Sequence, residues 1–142
     1  MDPLSVTAGI VAVVGAASSV GRTLGKLASL RGAPNAIRAL NNEIEDLRLI
    51  LQEIDTLLRR DIDSSGPSFH HQSLSGSLQR AKEKLLELEG ILEYQIMTVD
   101  DHGNATVNRF GWARQQTTIQ RIQGDLRSIR LDLVAALGLL NA

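Results

Sequence analysis

Hydrophobic residues recur at alternating spacings of three and four positions in four separate segments, and this periodicity restricts the possible folds most strongly. The first series is Ile10, Val13, Ala17, Val20, Leu24 and Leu27, and the second is Ile37, Leu40, Ile44, Leu47, Leu51, Ile54 and Leu58. The third is Leu74, Leu78, Ala81, Leu85, Leu88 and Leu92, and the fourth is Ile119, Ile122, Leu126, Ile129, Leu133, Ala136 and Leu140. Each series predicts the buried seam of a helix that packs against its neighbours at a small crossing angle.

Turn-forming residues separate these helices and indicate where each one begins and ends. Gly32 and Pro34 are typical of a helix stop followed by a helix start. Candidate caps for the third helix are Ser73, Ser75 and Ser77. The segment 61–72 is rich in Ser, Asp, Gly and Pro and predicts a mobile loop, and residues 100–104 end the third helix in the same way. No segment shows the alternating pattern that predicts strands.

We therefore predict an all-α fold, an antiparallel bundle of four main helices with room for a short extra one. The helices are expected at about residues 3–30, 34–60, 74–98 and 108–140. A length of 142 residues suits a single domain over residues 1–142. Because the last helix runs almost to the final residue without a terminating loop, we expect this domain to be the N-terminal part of a longer multidomain protein.

The composition argues against several classes of protein. A net charge of −1 and an aromatic content of 3% provide neither a basic surface nor stacking platforms, so we expect no nucleic-acid partner. The chain has no cysteine, which suits a reducing compartment. The first basic residue, Arg22, follows the N-terminal apolar run rather than preceding it, unlike a secretory signal. We therefore expect a cytoplasmic protein.

Residues with catalytic or metal-binding chemistry do not converge in the sequence. His70 and His71 fall in one predicted loop and residues 100–102 in another, and adjacent residues on a loop do not preform a metal site. The segment 61–66 imitates the opening of a calcium loop, but its twelfth position is Gln72 rather than a bidentate Glu. We expect no enzymatic activity, no metal or other cofactor and no small-molecule substrate.

The N-terminal helix is the segment that points to a function, because residues 3–21 are 19 consecutive positions without charge. Such a helix extends roughly 28 Å, close to the ~30 Å hydrocarbon core of a bilayer. Two interpretations are open: a central helix crowded on all sides, or a helix that enters a membrane after release from the bundle. In the second, the membrane-targeting residues are Leu4, Val6, Ala8, Gly9, Ile10, Val11, Val13, Val14, Gly15 and Val20.

Small and basic residues in and near this helix suggest further contacts. Small side chains allow close helix packing in lipid, and the candidates are Ala8, Ala12, Gly21 and Gly25. Basic side chains follow the uncharged run or lie on the last helix, and could meet lipid headgroups or an acidic partner: Arg22, Lys26, Arg31, Arg114 and Arg121. The alternative for the last helix is a solvated face with paired charges.

The first ten residues, MDPLSVTAGI, resemble the start of a large fungal family of N-terminal domains. These domains occur on STAND (NLR-like) signalling proteins and are related to the HeLo and HeLo-like domains. The resemblance continues through Ala33–Pro34 and the Ile37/Leu40/Ile44/Leu47 register, and reaches an Arg-x-x-Trp-Ala element at Arg109, Trp112 and Ala113. It therefore covers essentially the whole chain.

The resemblance implies a HeLo-like helical bundle at the N-terminus of a fungal receptor or effector. Several relatives execute regulated cell death in heterokaryon incompatibility and innate immunity: they oligomerise on activation and move from the cytoplasm to the plasma membrane. They permeabilise it through a Gly-rich apolar N-terminal helix. The resemblance thus implies homo-oligomerisation and an anionic membrane surface as partner. The alternative function is a protein–protein signalling or oligomerisation module without membrane activity.

Overall fold

The structure is a computed structural model that describes residues 3–61 and 70–141. These residues form four α-helices: α1 (Pro3–Ala28), α2 (Asn35–Asp61), α3 (His70–Ile91) and α4 (Arg109–Leu140). A π-helical turn, Leu92–Ile96, follows α3 directly. Two short strands, β1 (Met97–Val99) and β2 (Ala105–Val107), then pair antiparallel before α4 begins. The predicted all-α bundle of four main helices is confirmed.

The predicted seams form one continuous core between the four helices. Every predicted seam residue of α1, α2 and α3 is buried, with at most 4% of its surface exposed. In α4 the seam is buried as far as Leu133, and Ala136 and Leu140 pack against the core while half-buried. Burial of these aliphatic side chains removes a large apolar area from water, which is the main driving force for forming the bundle.

The helices are arranged so that α1 and α4 lie diagonally opposite each other. α1 packs mainly against α2 and α3, and α4 packs mainly against the same two helices. Arg127 pairs with Glu43 and Arg130 pairs with Asp46, so residue numbers rise together and α2 and α4 run parallel. Consecutive helices are antiparallel, and within residues 3–61 and 70–141 α1 packs mainly against α2 on one side and α3 on another.

The boundary between α1 and α2 lies within two residues of its predicted position. α1 ends at Ala28, where the Ser29 hydroxyl donates to the carbonyl oxygen of Lys26 (2.7 Å). Gly32 has a φ of +80°, a conformation that glycine adopts without steric cost. α2 begins at Asn35, directly after Pro34. The stop and start signals in the sequence are therefore confirmed.

The predicted start of α3 was wrong. The helix begins at His70, so His70 and His71 lie in its first turn and not in a loop. The serines proposed as caps are interior positions, and Ser77 is buried. Serine lowers helix stability only slightly relative to other residues. The packing of Leu74 against the core outweighs the preference of serine for a helix end. Most of the predicted loop and calcium-like segment, residues 62–69, lies outside the described residues.

The predicted end of the third helix at residue 98 and the absence of strands were also wrong. Residues 100–104 form the turn of the β1–β2 hairpin, in which the Asp100 carboxylate accepts hydrogen bonds from the backbone N–H of His102 and Asn104 (both 2.9 Å). Gly103 has a φ of +82° in this turn. Each strand has only three residues, too few for an alternating pattern to be visible in the sequence.

Candidate functional site: the N-terminal helix

α1 has one buried face and one face that is open to solvent. Its seam residues point into the core, whereas Ala8, Val11, Ala12 and Gly15 are exposed on the opposite side. Val11 alone has 56% of its surface exposed. We call these four residues the outer apolar face of α1. The helix is therefore not the crowded central element of the bundle.

The segment Val6–Ala28 meets the length and composition of a membrane-spanning helix. Its mean hydropathy is 1.3, and only 28% of its most apolar stretch is buried within the bundle. Core helices of soluble proteins can be equally apolar but are mostly buried. The distinguishing property of α1 is therefore its combination of low charge and low burial.

The predicted membrane-targeting residues divide between the two faces. Val6, Ile10, Val13 and Val20 are buried in the seam. Val14 is half-buried and packs against the core. Ala8, Val11 and Gly15 belong to the outer apolar face, and Gly9 is half-buried beside α3. The side chain of Leu4 lies outside the described part of the structure.

The small residues of α1 also have different surroundings. A Cβ atom built on Gly9 would lie 3.4 Å from Leu78 Cδ1, and one built on Gly21 would lie 3.8 Å from Asn41 Oδ1. A Cβ at Gly15 or Gly25 would meet nothing within 4 Å. Ala8 and Ala12 are exposed, and of the four residues predicted for close helix packing Gly21 is the half-buried one, beside Asn41 of α2.

A groove of about 220 Å³ separates the N-terminal part of α1 from α3. Val6, Gly9, Ala12 and Val13 line it from α1, and Ser75, Leu78, Gln79 and Lys82 line it from α3. The contact between the two helices is thus incomplete at this end of the bundle. Incomplete packing loses dispersion contacts and weakens the attachment of α1.

The basic residues predicted to meet lipid headgroups differ in whether another side chain of the bundle contacts them. Arg22, Lys26 and Arg31 are exposed, and no ion pair within residues 3–61 and 70–141 involves them. Arg121 lies 3.6 Å from Glu87. The guanidinium of Arg114 lies 5.9 Å from the centre of the Phe110 ring, a cation–π contact.

Three arginines of α4 are paired within the bundle. Arg121, Arg127 and Arg130 each contact an acidic residue of α2 or α3. These pairs are largely exposed, so each contributes little to stability. Each acidic residue nevertheless partly neutralises an arginine that would otherwise attract an acidic partner. The exposed cations at the end of α1 are therefore the freer ones.

One polar contact between α1 and α3 was not predicted from the sequence. The Thr23 hydroxyl donates to Glu89 Oε1 at 2.8 Å, and also lies 3.2 Å from the carbonyl oxygen of Ser19. Burial raises the pKa of the Glu89 carboxyl group, the Thr23 hydrogen bond opposes that shift, and the neighbouring Glu93 adds to it. Glu89 directly follows the seam residue Leu88. An acidic residue at the edge of a buried seam is the sequence signal that could have indicated this polar contact.

The fold and site define an all-α bundle with an amphipathic N-terminal helix whose residues 3–21 carry no charge. Residues 1–133 match the family model for the N-terminal domain of the pigment biosynthesis cluster protein PigL. The chain belongs to this family, a HeLo-like fungal domain family. No curated protein and no solved structure shows a significant match to the chain.

Proposed function

We propose that this domain is a membrane-permeabilising effector that acts in regulated cell death when several copies are clustered. It would serve as the N-terminal domain of a fungal NLR-like (STAND) or related protein, resting in the cytoplasm and moving to the plasma membrane on activation. It would act without enzymatic chemistry. The observation that carries the proposal is the outer apolar face of α1, which exposes apolar residues of the uncharged run 3–21 to solvent.

The energetics of transfer favour α1 over the other helices. Its buried seam residues would exchange a protein interior for hydrocarbon, so they lose little hydrophobic free energy on leaving the bundle. The exposed residues would gain, since a fully buried Val recovers about 1.5–3 kcal/mol relative to an exposed one. α2, α3 and α4 carry charges throughout their outer faces and would lose far more on transfer.

The ends of α1 also suit a membrane. The uncharged residues 3–21 span a length close to the hydrocarbon core, and Arg22 and Lys26 follow where phosphate groups would lie. The Thr23 hydroxyl lies 3.2 Å from the carbonyl oxygen of Ser19, within its own helix, so this polar group keeps a partner when other contacts are lost. Anionic lipid is the preferred surface because Arg22 and Lys26 form no ion pair among the described residues and would be available to phosphate groups.

Leakage from anionic vesicles tests the proposal with a matched pair of variants. Gly15→Arg places a charge on the outer apolar face, where an added side chain meets nothing within 4 Å. Gly124→Arg makes the same change at an equally open position on α4. The chain, clustered through a C-terminal inducible oligomerisation module, should release vesicle contents. Gly15→Arg should abolish the release and Gly124→Arg should preserve it.

Two outcomes would contradict the proposal. Clustered wild-type protein that releases no contents would exclude permeabilisation, and self-association without leakage would favour the signalling-module alternative. Equal leakage by both arginine variants would show that α1 is not the inserting element. Circular dichroism of each variant confirms that the bundle is folded before the comparison is made.

A further inference from the structure

Glu89 is a carboxylate placed inside the contact between α1 and α3. Its Oε1 atom accepts the hydrogen bond from Thr23, but its Oε2 atom is buried and has no hydrogen-bond partner among the described residues. Leaving a buried carboxylate oxygen unpaired costs free energy, because the hydration that it had in the unfolded chain is not replaced. The contact between the two helices therefore contains a destabilising group.

The charges around Glu89 increase this penalty. Glu93 lies one helical turn further along and repels the ionised carboxylate. The cations nearest to Thr23 in sequence, Arg22 and Lys26, have exposed side chains and form no ion pair with Glu89. On α1, only the hydroxyl groups of Ser19 and Thr23 favour the charged form. The ionised carboxylate thus meets two hydroxyl groups, of which that of Thr23 has the larger effect, and one like charge.

We propose that Glu89 is a built-in weak point that keeps α1 separable from α3 near neutral pH, and that protonation of its carboxyl group tightens the contact. A neutral carboxyl group removes the repulsion from Glu93 and gains a hydrogen to donate. The biological meaning of the weak point rests on the proposed release of α1, whereas its physical effect on the bundle does not.

The direction of the pH dependence follows from burial. A carboxyl group whose pKa is raised on folding contributes stability that is complete below its unfolded pKa of about 4.3. That stability is lost as the pH rises through the folded value. The α1–α3 contact is therefore expected to be tightest in acid and weakest once Glu89 is ionised.

Glu89→Gln isolates this effect, because the amide has the same shape, keeps an acceptor for Thr23 and carries no charge. Glu83→Gln is the matched control, since Glu83 lies on the same helix and is exposed. Thermal unfolding and amide hydrogen exchange of residues 16–28 are measured from pH 4 to pH 8. Glu89→Gln should raise the Tm at pH 7 and slow exchange in α1 about threefold or more, and both differences should vanish near pH 4.

A lower Tm for Glu89→Gln at pH 7, or a difference that is the same at every pH, would overturn the inference. These measurements need no membrane, so they remain decisive if the proposed function fails. In the vesicle assay, Glu89→Gln should slow leakage relative to Glu83→Gln after clustering. Leakage that is unchanged despite slower exchange would separate the weak point from membrane activity, and would overturn its proposed role in release.

Discussion

Gly111 packs directly against the backbone carbonyl of Gln95, and this contact joins the start of α4 to the π-helical turn. A Cβ atom on Gly111 would lie 1.9 Å from the Gln95 oxygen and 3.1 Å from its carbon, so no other residue fits without movement of the backbone. The neighbouring Asn108 N–H donates to the carbonyl oxygen of Ile96 at 2.7 Å. Together these contacts fix the start of α4 against the π-helical turn, at the end of the bundle that carries the hairpin.

Gly111→Ala should therefore be strongly destabilising. The added methyl group meets backbone rather than a flexible side chain, so either α4 or the π-helical turn must shift, at a cost of about 2 kcal/mol or more. Gly124→Ala is the control, because it makes the same change in the same helix where nothing lies within 4 Å. It should stabilise by roughly 0.5–1 kcal/mol. Urea unfolding of the two variants checks both values, and equal stabilities would contradict the contact.

Asn108 should be a measurable cap of α4. Its side-chain oxygen accepts a hydrogen bond from the Gly111 N–H at 2.9 Å. Asn108→Ala removes this acceptor and should cost about 1 kcal/mol, or roughly 3 °C in Tm. Asn108→Asp keeps the acceptor and should stay within a few tenths of a kcal/mol of the wild type. A loss of similar size in both variants would show that the side chain acts in another way.

The two faces of α1 should respond differently to truncation. Leu24 is fully buried, and Leu24→Ala should lower the free energy of unfolding by about 2–5 kcal/mol. Val11 is on the outer apolar face, and Val11→Ala should change it by less than about 0.5 kcal/mol. Denaturant titration measures both. A large loss at Val11 would mean that this face is covered in solution, which would remove the main support for membrane targeting.

Binding to anionic vesicles should depend on the cations of α1 more than on those of α4. Arg22→Gln and Lys26→Gln should each weaken binding about fivefold, corresponding to about 1 kcal/mol per basic residue near the surface. Arg127→Gln should have a smaller effect, since Arg127 already pairs with Glu43 at 2.6 Å. Vesicle flotation at low and high salt measures the differences. A dominant effect of Arg127 would instead assign the lipid-facing surface to α4.

Much of the fold could be predicted because helix packing leaves a local signal. The seam from Ile37 to Leu58 is visible as a series of three- and four-residue steps, and all of its members are buried. The same holds for the stop at Gly32 and the start after Pro34. The start of α3 at His70 could not be predicted from the nearby serines, because serine costs little inside a helix and therefore does not fix where a helix begins.

The hairpin and the Glu89–Thr23 contact could not be predicted from the sequence for a different reason. Thr98 and Thr106 face each other across three-residue strands that lie between the π-helical turn and α4. Glu89 meets Thr23, 66 positions away along the chain. Pairings at such separations depend on the arrangement of whole helices, which no local pattern encodes.

The sequence by itself determined that the chain forms four helices, which residues make their buried seams, and that residues 3–21 carry no charge. Those properties are local, since spacing and composition act within a few turns of one helix. Only the tertiary structure decided that, among the residues it describes, α1 packs on two sides against helices and keeps its outer apolar face exposed. That outcome depends on long-range packing of α1 against α2 and α3, and it leaves Val11 and Gly15 exposed.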